Sequence, residues 1–69
     1  MENVEISSEY IELGQFLKMI DLVSSGGEAK SFLRDNKVLV NEEPDNRRGR
    51  KLYPGDIVEI LGKKYHICQ

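Results

Sequence analysis

The chain has 69 residues, 39% hydrophobic and 32% charged, with a formal net charge of −2. That balance excludes a disordered or low-complexity polypeptide. No apolar run approaches the roughly 18 residues needed to span a bilayer, and the single cysteine, Cys68, excludes an internal disulfide or a multi-cysteine zinc site.

A chain of this length buries only about 60% of the surface exposed when it unfolds. One domain over residues 1–69 is therefore expected, with nearly every apolar side chain committed to one core. The first residues, Met1-Glu2-Asn3-Val4-Glu5, are acidic and lack the apolar stretch of a signal peptide. The expected location is the cytoplasm.

Val4 and Ile6 alternate with polar residues and predict a short first strand. Ser7 to Tyr10 reads as a connection. Leu13, Phe16, Leu17 and Ile20 fall at i, i+3, i+4 and i+7, one apolar stripe on a helix that Gly14 can start. This helix fades between Asp21 and Ser24. Ser25 and Glu28 have the spacing of a capping box, in which each side chain serves the other residue's backbone N–H, and they predict a second helix. Ala29, Phe32 and Leu33 form its apolar face. Lys30, Arg34 and Lys37 line up on another face, and Asn36 suits a left-handed stop.

Val38 to Val40 predicts a strand, Asn41 to Pro44 a turn, Asp45 to Arg47 a further short strand and Arg48 to Lys51 a loop. Tyr53-Pro54-Gly55-Asp56 is a strong turn signal. Ile57 to Ile60 is a strand, Gly62 sits in a tight turn, and Tyr65 to Cys68 returns as the hairpin partner. Helices segregated against short antiparallel strands give an α+β fold, two helices packed on a small sheet.

Charge is unevenly spread. Between Lys30 and Lys51, seven cations (Lys30, Arg34, Lys37, Arg47, Arg48, Arg50, Lys51) face four acids, a net charge of +3. Outside that segment only Lys18, Lys63 and Lys64 oppose eight acids. An acidic body with a basic middle can attract a polyanion although the whole chain is slightly negative. Arg47-Arg48-Gly49-Arg50-Lys51 is the densest cluster, and repulsion among its four cations calls for a partner of opposite charge, which a polyanion would supply. At the second helix start, Gly26 and Gly27 would let a phosphate approach free backbone N–H groups.

His66 and Cys68 alternate on a strand, but no further His or Cys completes a metal set. Tyr10, Tyr53 and Tyr65 could stack on bases, but in a chain with only 7% aromatic residues they are read as covering core edges. No nucleophile constellation or phosphate loop of an enzyme is present, so neither catalysis, a cofactor nor a small-molecule substrate is expected.

Leu13-Gly14-Gln15-Phe16-Leu17-Lys18 followed by Ser25-Gly26-Gly27-Glu28-Ala29-Lys30 resembles the helix-turn-helix of the S4 domain. Val38-Leu39-Val40-Asn41, Arg47 to Leu52 and Pro54-Gly55-Asp56 resemble the remainder of that domain, from about Val4 to the C-terminus. The whole is most similar to free-standing bacterial S4 proteins of the YaaA type. The resemblance implies an RNA-binding module for structured RNA, ribosomal or transfer RNA, whose two helices and following loop, the αL motif, face the nucleic acid. It implies RNA contacts from Lys18, Ser25, Gly26, Gly27, Lys30, Arg34, Lys37, Arg47, Arg48, Arg50 and Lys51. Two positions depart from the family pattern. Gly26 stands where many S4 domains have arginine, and Glu42-Glu43 follow Asn41 where many have glycine, so a smaller contact patch is expected.

On this reading the domain is a monomer, and Arg48 or Arg50 can be truncated with little loss of stability. Two rival readings are a protein-interaction module docking on an acidic or ribosomal protein, and a DNA-binding helix pair. A short second helix with the charge concentrated in a loop makes major-groove reading less natural.

Overall fold

The computed structural model describes all residues, 1–69. Its elements are β1 (Glu2–Glu5), β2 (Ile11–Glu12), α1 (Leu13–Met19), α2 (Gly26–Asp35), β3 (Val38–Val40), β4 (Glu43–Pro44), β5 (Lys51–Leu52), β6 (Ile57–Ile60) and β7 (Lys63–Cys68). Five strands form one sheet in the order β1-β7-β6-β3-β4, and β2 pairs with β5 in a separate two-stranded ribbon. The α+β architecture is as expected. The sheet is mixed, however: β1 joins β7 in parallel, Val4 opposite Ile67, while the other pairs are antiparallel.

Alternation along each strand decides which face packs. Val38, Val40, Val58, Ile60, Tyr65 and Ile67 point inward and meet Leu13, Phe16, Leu17, Ala29 and Leu33 from the helices. Phe16 packs edge-on against Tyr65 with ring centroids 5.5 Å apart, a favoured aromatic geometry. No polar or charged residue is buried.

The helix ends differ in detail from expectation. Glu12, not Gly14, is the N-cap of α1, and Gly14 lies inside the first turn. At the other end Asp21 adopts φ 63°, its N–H reaching Lys18 O at 3.0 Å while Leu22 N–H reaches Leu17 O at 3.0 Å. This is a Schellman ending with aspartate in the place glycine usually takes. Ser25 caps α2 as predicted, its Oγ accepting from Glu28 N–H at 3.1 Å. Glu28 does not reciprocate to Ser25. It reaches one residue further back and accepts from both the N–H and the hydroxyl of Ser24. Asn36 ends α2 in an extended conformation, φ −130°, and its side-chain amide donates to Phe32 O at 3.1 Å. Helical geometry thus stops before Lys37, which sits at the entry to β3 instead of extending the Lys30–Arg34 face.

Asp45 to Arg47 is not a strand. The strand lies one step earlier, at Glu43–Pro44, and Asp45 bends the chain by accepting from Arg47 N–H at 2.9 Å. The β3–β4 hairpin closes through Asn41 and Glu42, both in the left-handed region at φ 51° and 71°. Positive φ at both central residues is the twist a two-residue hairpin needs, and asparagine followed by glycine is the pair that adopts it at least cost. Asn41 fits this and ties the hairpin down, its side chain accepting from Ile57 N–H at 2.9 Å and donating to Asp56 at 3.1 Å.

Glu42 is a non-glycine residue held where L side chains are disfavoured. Glu42→Gly should therefore raise stability by about 0.5–1 kcal/mol, the relieved strain outweighing the extra freedom of the unfolded chain. A thermal melt followed by circular dichroism measures this, and a lowered midpoint would show that the turn carries no strain.

Candidate nucleic-acid interface

The first turn of any helix leaves backbone N–H groups without helical partners. In α1 those of Leu13 and Gly14 donate to the carbonyls of Arg50 and Arg48, at 2.8 and 2.9 Å. The basic loop is thereby stitched along the start of α1. A Cβ on Gly14 would sit 3.5 Å from Arg48 Cβ and from Arg48 O, ordinary contact that a longer side chain would exceed. From this position the Arg48 side chain crosses to α2 and donates to Gly26 O at 3.1 Å. One arginine thus links the loop after β4 to the start of the second helix.

An open groove results. Glu12, Gly14, Gln15 and Lys18 line it from the first helix, Gly26 and Ala29 from the second, and Arg48 and Gly49 from the loop. Of the predicted contact residues, Lys18, Gly26 and Arg48 are brought together here. Ser25 and Gly27 flank Gly26, and Lys30 lies exposed one turn along α2. The Ser25 hydroxyl already accepts from Glu28 N–H. The Glu28 carboxylate is held by the N–H and hydroxyl of Ser24, ahead of the cap.

The remaining cations are placed differently. Arg47 and Arg50 converge on Asp45, with Nη2 of Arg47 at 2.7 Å and Nη1 of Arg50 at 2.8 Å from Oδ2. The Asp45 side chain is only 6% exposed, and that of Arg47 is 68% exposed. The repulsion in the arginine cluster is therefore offset in part from within the chain by Asp45, so the charge run does not by itself call for an external polyanion. Arg50 is bonded to a nearly buried carboxylate, so its truncation is expected to cost stability as well as charge. Arg34 pairs with its neighbour Asp35 at 3.2 Å. Lys37 lines a separate shallow depression with Pro44 and Asp45. Lys51 lies on β5 with its ammonium 4.9 Å from the Tyr10 ring centroid. Lys18, Lys30, Lys37, Arg48 and Lys51 engage no carboxylate, whereas Arg34, Arg47 and Arg50 do.

Hydrogen bonding from the Arg47 side chain pulls the Asp45 carboxyl well below the ordinary carboxylate value, with the Arg47 backbone N–H and the Arg50 side chain adding to the effect and burial opposing it. The same pair raises the Arg47 guanidinium. His66 lies away from the groove, its ring nitrogen 3.3 Å from Asn3 Oδ1 across the parallel β1–β7 pair. Glu12, Gln15 and Gly49 line the groove without having been singled out. Gln15 and Lys18, three apart, share a helix face, which was the readable signal for Gln15.

A carboxyl depressed on folding adds stability above its ordinary pKa of 3.8 and loses that contribution as pH falls through the folded value. Asp45→Asn should cost about 1–3 kcal/mol at neutral pH, because two guanidiniums lose a charged acceptor. It should also reduce the extra loss of stability that the wild type shows as pH drops below 3.8. Melts of both proteins across that range decide the matter, and identical acid profiles would show that Asp45 does not anchor the loop.

The S4 domain family model matches residues 4–68 of the chain. Over 59 residues, spanning 86% of this chain and 83% of the relative, the sequence is 64% identical to a Bacillus subtilis (strain 168) protein named Probable ribosome maturation protein RlbA. With the helix pair, the returning loop and these matches in agreement, the chain belongs to the S4 domain family.

Proposed function

We propose that this protein is a non-catalytic RNA-binding domain of the cytoplasm that docks as a monomer on folded RNA, with ribosomal RNA as its target and ribosome maturation as its setting; transfer RNA is the other structured RNA of this class. Membership of the S4 family and the name of the Bacillus relative support the ribosomal setting. No helix is long and apolar enough to cross a membrane.

The observation that carries the reading is the position of Arg48. Its backbone is fixed by Gly14 N–H and its side chain by Gly26 O, and no carboxylate pairs with it. A guanidinium held this way beside the start of α2 keeps donors free for a phosphate oxygen. Gly26 and Gly27 leave the adjacent backbone N–H groups approachable, and the positive end of the helix dipole adds to the attraction. Lys18 supplies charge from the opposite wall. A-form RNA hides its base edges in a narrow major groove, so contacts of this kind read backbone shape more than sequence. Ser25, Gly27 and Lys30 extend the same surface along α2, while Arg34, Lys37, Arg47, Arg50 and Lys51 form an outer rim. Within that rim Arg47, although paired, remains largely exposed.

RNA affinity should fall steeply with salt, because each neutralised phosphate releases counterions. Arg48→Ala should weaken binding to a structured ribosomal RNA fragment and lower the slope of log K against log salt by about one. Loss of the bond to Gly26 should cost only about 1 kcal/mol of stability. Filter binding over a salt series reads the slope. An affinity for RNA that is indifferent to salt, or a variant with the wild-type slope, would contradict the assignment. A pull-down with ribonuclease treatment separates RNA from protein docking, since partners retained after digestion would favour the latter.

A further inference from the structure

The β2–β5 ribbon has an outer face of which the groove uses only Glu12. Ile11 opposes Leu52 and Glu12 opposes Lys51. Continuing that register places Tyr10 opposite Tyr53, and their ring centroids are 5.8 Å apart with planes tilted by 49°. Leu52 is fully buried and Ile11 packs on the core, so by the alternation of a strand Tyr10, Glu12, Lys51 and Tyr53 share the opposite, outward face. Neither Tyr10 nor Tyr53 belongs to the core cluster or packs against it. Tyr53 is 42% exposed, unlike Tyr65, which is buried against Phe16. The expectation that these tyrosines serve as core cover therefore holds for Tyr65 and not for this pair.

Tyr53 is also held firmly. Its N–H donates to Asp56 Oδ2 at 2.8 Å and its carbonyl accepts from Asp56 N–H at 2.9 Å, closing the turn in which Gly55 takes φ +100°. Tyr10 backs one side of the ring, and the Lys51 ammonium lies over Tyr10. The ribbon thus presents an ordered aromatic surface beside a cation that pairs with no carboxylate. It adjoins the groove, because Glu12, two residues from Tyr10 on the same face, lines that groove. Two residues along a strand span about 7 Å, so the platform lies within a short step of the groove wall.

We infer that Tyr53, backed by Tyr10 and flanked by Lys51, is a stacking platform for an unpaired nucleotide that leaves the RNA helix docked in the α1–α2 groove. The inference rests on the RNA-binding reading above and names the part of the RNA, a single-stranded flank or flipped-out base, that the groove alone does not select. Aromatic rings accept any base face, so the platform recognises an unpaired state and not a sequence. With the Tyr53 backbone fixed by its turn, only two side-chain torsions are left to be ordered on binding.

The test compares two probes, an RNA hairpin with a blunt stem and the same hairpin carrying a single-stranded oligoadenosine overhang, by fluorescence anisotropy. The wild type should bind the overhung probe more tightly. Tyr53→Ala should lose that preference, weakening overhang binding by roughly 5- to 100-fold with the salt slope unchanged, because no phosphate contact is removed. Tyr53→Phe should keep the preference, and Tyr53→Leu, which preserves apolar bulk without a π-face, should lose it. Thermal melts establish that each variant is folded. Equal wild-type affinity for both probes, or a preference that survives in folded Tyr53→Ala or Tyr53→Leu, overturns the platform while leaving the groove intact. A wild type that binds neither probe overturns the RNA-binding reading, and the platform with it.

Discussion

The start of α1 is the constraint on which the functional surface depends. Its first N–H groups need acceptors, and they find them in the carbonyls of Arg48 and Arg50, about 35 residues further along the chain. This backbone requirement brings the basic loop that follows the edge strand β4 onto the helix pair. The side chain of Arg48 then reaches the first residue of α2. Because the bonds at the start of α1 join backbone groups, they tie the loop to the helix without drawing the arginine charges into the core.

Asp45 completes the arrangement. A nearly buried carboxylate that accepts from two arginines and one backbone N–H orients the loop and neutralises part of its charge. The densest run of cations is consequently divided by role. Arg47 and Arg50 shape the loop, while Arg48, between them, turns to the groove. Fixing the proposed phosphate-facing groups on a rigid support would lower the freedom lost on association, and the carboxylate also reduces the loop's self-repulsion.

Much of the fold was legible in the residues. The apolar spacing of Leu13, Phe16 and Leu17, the Ser25 cap, and the strands from Val38, Ile57 and Tyr65 all depend on local periodicity, and all are present. What escaped was set by partners distant in sequence. Ile11–Glu12 and Lys51–Leu52 are two-residue strands, too short for alternation to show, and each exists only because the other lies alongside. The parallel docking of β1 is a long-range choice of the same kind. Charge counting identified the basic middle but could not say that Asp45 would claim Arg47 and Arg50, because the reach of a carboxylate depends on how the chain bends. In the same way, Tyr10 and Tyr53 look like scattered aromatics until the ribbon register sets them opposite each other.

The chain is an S4 domain of unremarkable net charge, and the RNA binding proposed for it depends on where its unpaired cations are held. Amide chemical-shift mapping of isotope-labelled protein titrated with a structured ribosomal RNA fragment tests this most directly. The groove predicts the largest changes at Gly14 and Gly26-Gly27 on the first turns of the two helices, at Lys18 on the last turn of α1, and at Gly49 in the loop between Arg48 and Arg50. Changes concentrated instead on β1 and the β6–β7 turn, around Glu2, Glu5 and Lys63, would place the RNA on the wrong side of the molecule and contradict the account.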